Sequence, residues 1–231
     1  MGALSELISL GWFLLTIVLY VLMKSLYKKQ RKWWLMPMVS VPTLLITCLL
    51  LTQEAFNRYY ADTRWLVWML GPATVAFAVP IYEQRKIIYR YWMTLSIGVI
   101  VGAIVAVLSS VFLARLFGLP TEIQASLAPR SVSTPFAILV APKLGGSADL
   151  AAIFVVLTGV LGMFLGQVML VLLPVRSRLA KGALYGASAH GCGTARAMEL
   201  GNEIGVIASL VMMISGVVTV FAYPLIKYLI Q

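Results

Sequence analysis

Long, mostly apolar blocks separated by short polar ones dominate the chain. The blocks at 7–23, 35–52, 65–82, 92–117, 150–173 and 204–229 each approach the ~20 residues that a helix needs to cross a bilayer. Two further segments, 126–141 and 183–200, are shorter and interrupted by proline, glycine and polar residues. The pattern predicts an all-α polytopic membrane protein with about six spanning helices plus two re-entrant or broken helical hairpins. It reads as a single transmembrane domain over residues 1–231.

Composition removes the soluble alternative. Of the 231 residues 61% are hydrophobic and 11% charged, whereas a soluble domain carries about 25% charged residues. The net charge of +10 would suit nucleic acid, but no basic stripe is interleaved with exposed aromatics, so nucleic-acid binding is not expected. The basic residues instead gather in three short loops. Lys24, Lys28, Lys29, Arg31 and Lys32 form the first, Arg85, Lys86 and Arg90 the second, and Arg176, Arg178 and Lys181 the third. Glu83 is the only acid among them, while the loop at 53–64 is balanced, with Glu54 and Asp62 against Arg58 and Arg64. This is the positive-inside pattern of an inner (cytoplasmic) membrane protein. The first apolar block has Glu6 before it and its basic cluster after it, with no small-residue cleavage site. It therefore reads as an uncleaved helix with its N-terminus outside.

Placing the three basic loops inside fixes the crossings. The block at 92–117 runs outward and the one at 150–173 returns, so 126–141 must enter and leave on the outer face. The segment 183–200 is then a second hairpin, entering from the inner face. Two hairpins dipping from opposite faces suit an inverted repeat. A weak echo accompanies them, since Pro72-Ala73-Thr74-Val75 and Pro129-Arg130-Ser131-Val132 share the pattern P-x-[ST]-V.

Three stretches could carry chemistry. Gly71-Pro72-Ala73-Thr74-Val75-Ala76-Phe77-Ala78-Val79-Pro80 holds two prolines within a spanning block, which free backbone groups at membrane depth. It is either a kinked packing helix or a discontinuous one lining a site. Pro129-Arg130-Ser131-Val132-Ser133-Thr134-Pro135 places an arginine among apolar residues. Arg130 either snorkels to the interface or binds an anion; its planar fork matches a carboxylate, and Ser131, Ser133 and Thr134 stand beside it. The third stretch, Gly186 to Arg196, contains His190, the only histidine, with Gly191, Cys192, Gly193 and Thr194 after it. His190 is either a structural histidine or one that relays a proton or bonds a substrate. Arg196 and Glu199 stand at i, i+3 and are expected to pair. Pro72, Pro80, Pro129, Pro135, Gly191 and Gly193 are the structural positions that break these helices. Cys48 and Cys192 have no metal spacing. With one histidine and no nucleophile–base pair, no enzyme, metal or cofactor is expected.

At these stretches the chain resembles the LrgB/CidB family of bacterial membrane proteins. The resemblance runs from about residue 35 onward and rests on 71–83, on Pro129 to Ala137, and on His190 with Gly193-Thr194-Ala195-Arg196 and Glu199. Two departures stand out: Arg130 where the family often has lysine, and Ala189 where it usually has serine. The family is described as holin- or antiholin-like modulators of murein hydrolase activity and lysis. A similar half of a plastid glycolate/glycerate translocator implies transport of small monocarboxylates such as pyruvate. The resemblance further implies a smaller LrgA/CidA-type membrane partner. The substrate reading would use Thr74, Arg130, Ser131, Ser133, Thr134, His190 and Thr194, in a chain expected to form a homo-oligomer, a dimer, in the bilayer.

Overall fold

In the computed structural model residues 3–53, 56–76 and 78–230 are described, without the side chains of 3–10, Ala73, Thr74 and Pro80. The expected site residue Thr74 and the expected structural residue Pro80 therefore lie, as side chains, outside the described residues. No strand occurs among the described residues. Contacts divide the chain into two units, Met1–Ala73 and Thr74–Gln231.

In the first unit α1 (Ala3–Gln30) is followed by a 3-10 turn at Trp33–Leu35, then α2 (Pro37–Thr52) and α3 (Phe56–Trp68). Arg31 and Gln53 take positive φ at the two reversals. Aromatic rings join α1 to α3: Trp12 meets Tyr59 edge-on at 5.8 Å and Phe13 stacks on Trp65 at 5.3 Å. Within the block expected to span at 65–82, α3 ends at Trp68 and a turn at Met69 leads into α4 (Leu70–Ala76). Helix α5 (Ala78–Glu83) is described after residue 77, which lies outside the described residues. Pro72 falls in the first turn of α4, where the missing N–H costs little.

The second unit contains the chemistry. Helix α6 (Arg85–Leu116) bends at Tyr91; α7 (Thr121–Leu127), a 3-10 turn (Ala128–Ser131) and α8 (Thr134–Leu144) follow. Then come α9 (Ala148–Leu172), α10 (Arg178–Leu200) and α11 (Asn202–Ile230). Four helical segments among the described residues are long and apolar enough to cross a membrane: Gly11–Gln30, Arg85–Leu116, Ala148–Leu172 and Asn202–Ile230. Of their most apolar windows 61% is buried in α11, against 28% in α6 and 22% in α9, so α11 is the axis of the core. Leu95 and Val99 pack on Ile207 and Val211, and Val107 and Val111 on Ile226 and Ile230. Helices α6 and α11 therefore run parallel. Arg115 closes the far end, its Nη2 donating to the carbonyls of Leu229 and Ile230 at 2.8 Å.

Both interrupted segments fold back. The segment from α7 to α8 returns to its starting level, because the Ser147 N–H donates to Ser126 Oγ at 2.8 Å. Gly146 there lies against the Ser126 backbone, leaving no room for a Cβ. In α10 the backbone breaks at His190, with φ 44 and ψ −121. A straight helix would hold Tyr185 and Gly193 about 12 Å apart. Here a Cβ on Gly193 would strike the Tyr185 carbonyl and the Ala189 methyl. The limbs 178–189 and 191–200 thus lie side by side. A salt bridge from Arg178 to Glu203 at 2.7 Å ties the mouth of this hairpin to the start of α11.

Candidate functional site

The tip of the first hairpin is built by its prolines. Pro129 starts the tight 3-10 turn, Val132 is extended, and Pro135 sits in the first turn of α8. This short irregular passage turns Arg130 toward α6, where its Nε donates to Ser110 Oγ at 2.6 Å. Ser110 in turn donates to the Ala106 carbonyl at 2.6 Å. Ser133, which precedes α8, is buried with its hydroxyl unpartnered among the described residues.

The tip of the second hairpin is His190. It is 2% exposed, and neither ring nitrogen has a hydrogen-bond partner among the described residues. Arg130 and the Ser131 backbone lie alongside the ring, the latter outside bonding geometry. The two tips therefore approach each other inside the second unit. Close packing of α9 permits this: a Cβ on Gly162 would strike the Ser188 carbonyl, and Gly159 rests on Ala189 and Cys192.

Between α6, α9 and the two hairpins lies a half-open cavity of ≈ 520 Å³, lined by Arg130, Ser131, Ser109, Thr158 and Ser188 among apolar side chains. Arg130 supplies the only charge among its described lining residues. With Nε held by Ser110, the guanidinium is fixed in orientation, and its terminal nitrogens are the donors left for a ligand. The cavity thus presents hydroxyls around a single oriented cation.

Not every expected site residue joins it: His190 and Ser133 are not among the lining residues. Thr194 donates to the His190 carbonyl at 2.8 Å and lies 3.8 Å from Met212 Sδ, so its hydroxyl stabilises the hairpin turn. Thr134 opens α8 half-buried. Arg196 and Glu199 pair at 2.5 Å, and Arg196 also donates to Gln167 Oε1 from Nε at 3.3 Å and from Nη2 at 3.1 Å. Tyr185 donates to the same oxygen at 3.3 Å, which locks both limbs of the hairpin to α9. Gln167, Ser110, Thr158 and Ser188 were missed by motif reasoning. The adjacent serines at 109–110 and the lone amide in apolar α9 were the available signals.

Comparison with known proteins agrees on one family. The model of the LrgB-like family matches residues 16–229. YwbG of Bacillus subtilis, named an uncharacterized protein, is 35% identical over 91% of this chain and 93% of its own length. YxaC of the same organism, named likewise, is 33% identical over 94% of each. The holin-like protein CidB of Staphylococcus epidermidis is 29% identical over 91% of this chain and 92% of its own. No solved structure matches.

Proposed function

The chain belongs to the LrgB-like family and is a multi-pass membrane protein, and on that premise we propose that it carries small monocarboxylates of the pyruvate, glycolate or glycerate kind. One observation carries the reading: Arg130 stands at a hairpin tip, oriented by Ser110, with its free donors at a hydroxyl-lined cavity. A planar guanidinium binds a carboxylate through two parallel hydrogen bonds. His190, unpartnered at the opposing tip, would bond the 2-oxo or 2-hydroxy oxygen. Non-helical backbone at membrane depth persists where it lines such a site. In this reading the protein sits in the cytoplasmic membrane as a homo-oligomer, alongside a smaller LrgA/CidA-type protein, and uses no cofactor. Proteoliposomes holding the protein, alone and with that partner, should take up labelled pyruvate, glycolate or glycerate. Failure to move any of them would end the carrier reading.

The name of the staphylococcal relatives favours a second reading, an oligomeric scaffold that modulates murein hydrolase activity and lysis. A scaffold has no need of Arg130 at a cavity. Its autolysis phenotype should survive Arg130→Ala, whereas transport should not.

A further inference from the structure

Between the start of α6 and the first limb of the second hairpin runs a half-open groove of ≈ 240 Å³ that the carrier reading does not use. Its floor is apolar, because Leu95, Val99, Ala183 and Val211 belong to one packed cluster beneath it. Gly98 forms part of the wall, and a Cβ there would meet nothing within 4 Å. The missing side chain keeps the trough open. Among the described lining residues Thr94 and Ser177 alone carry hydroxyls, and both lie toward the basic end of the unit. Thr94 follows Arg90 by four residues, and Ser177 stands between Arg176 and Arg178. Tyr91 packs on the same apolar cluster, and the Arg90 guanidinium lies over its ring at 5.3 Å, which brings a charge beside the groove. Arg178 is matched by Glu203 at 2.7 Å, whereas Arg176 and Lys181 form no ion pair among the described residues. Exposed Tyr89 and Trp92 are the residue types that settle at the membrane interface. Along α6 the order is therefore cation, interfacial ring, hydroxyl and apolar trough. A phospholipid has the same depth profile, with phosphate, glycerol ester and acyl chain.

We propose that this groove binds one anionic phospholipid, its acyl chain in the trough and its phosphate among Arg90, Arg176 and Lys181. The site rests on neither reading of the protein's function. A zwitterionic lipid brings the same chains to the trough, so the uncompensated cations are what select the anionic one. A protein helix does not fit, since one turn, about 10 Å across and about 5.4 Å long, exceeds the volume of the whole groove. Free phosphate would gain nothing from the apolar floor, whereas each buried methylene of a lipid chain contributes. Bound there, the lipid joins α6 to the limb 178–189 that leads to His190, and so stabilises the mouth of the second hairpin.

Thermal melting of the purified protein in a neutral detergent, titrated with dioleoyl phosphatidylglycerol, tests the site. That lipid should raise the midpoint saturably. Dioleoyl phosphatidylcholine, with the same chains, should not, and neither should glycerol 3-phosphate, a headgroup without chains. Equal shifts from the two lipids would mean a non-selective lipid coat and overturn the proposal. A shift from glycerol 3-phosphate equal to that from phosphatidylglycerol would overturn it as well, because an anion on surface cations needs no groove. Gly98→Phe fills the trough where a Cβ meets nothing and should abolish the phosphatidylglycerol shift. Arg90→Gln combined with Arg176→Gln, both at exposed positions, should raise the half-saturating lipid fraction roughly thirtyfold. An undiminished shift in either folded variant places the lipid elsewhere and overturns the site. Should Gly98→Phe fail to fold, the double charge variant and the comparison of the two lipids decide between them.

Discussion

Arg130 and His190 are the two residues whose local energetics point to a ligand. A charged group at membrane depth is costly, and Arg130 offsets part of that cost through Ser110. A hydrogen bond to a charged group contributes about 1.5–3 kcal/mol. Ser110→Ala should therefore raise the half-saturating substrate concentration roughly tenfold by freeing the guanidinium to swing. Arg130→Lys, which keeps the charge but not the fork, should retain part of the uptake, and Arg130→Ala none. Initial-rate uptake across substrate concentrations separates the three. His190 presents the opposite case, because its φ of 44 and ψ of −121 match the first central position of a type II′ turn, a glycine position. Strain of that kind costs about 1–3 kcal/mol and persists where a side chain has a task. His190→Gly should leave the melting temperature unchanged or raise it while uptake falls. A variant that both melts low and transports normally would show that the imidazole serves packing instead.

At the scale of elements, the second hairpin depends on close backbone approach. Gly193 lies against the Tyr185 carbonyl and Gly162 against that of Ser188. Gly193→Ala forces the limbs apart and should destabilise by about 1–3 kcal/mol, visible as a lower melting temperature. Gly98→Ala on α6, where a Cβ meets nothing within 4 Å, should not. These glycines also explain what was legible beforehand. The long apolar blocks announced α1, α6, α9 and α11 directly, since twenty apolar residues have few alternatives in a bilayer. Both hairpins followed from proline, glycine and charge bias together. The block at 65–82 was equally apolar, yet a turn at Met69 interrupts it ahead of Pro72. Hydropathy weighs side chains and is blind to that. Arg130 and His190 were singled out as the lone charge and the lone imidazole of their stretches. Ser110, Thr158 and Gln167 were not, because a single hydroxyl or amide in an apolar helix most often satisfies its own backbone. Their role appears only when the hairpin tips arrive beside them.

For the second unit as a whole, the packing and the charge pattern make one joint prediction of topology. Helices α6 and α11 are parallel and α9 runs against them, so the unit has two distinct ends. Arg85, Lys86 and Arg90 begin α6, and Arg176, Arg178 and Lys181 precede or begin the second hairpin. Ile87, Tyr91, Leu179 and Ile207 pack together there, which puts both basic loops and the mouth of the second hairpin at one end. The opposite end holds Arg115 against the last carbonyls of α11 and the mouth of the first hairpin at Ser126 and Ser147. The positive-inside bias assigns the basic end to the cytoplasm. Single cysteines at Tyr89 and Ser177, in a Cys48→Ser background, should react with a membrane-impermeant thiol reagent only once the inner face is opened. Cysteines at Glu122 and Asp149, both exposed, should react in intact cells. Labelling of Glu122 from outside but Asp149 only from inside would mean that the segment between them crosses fully. The two tips would then no longer enter from opposite faces, and the pairing of the two hairpins would lose its basis. Labelling of both from outside leaves the two hairpins meeting from opposite faces, as alternating access to a single site requires.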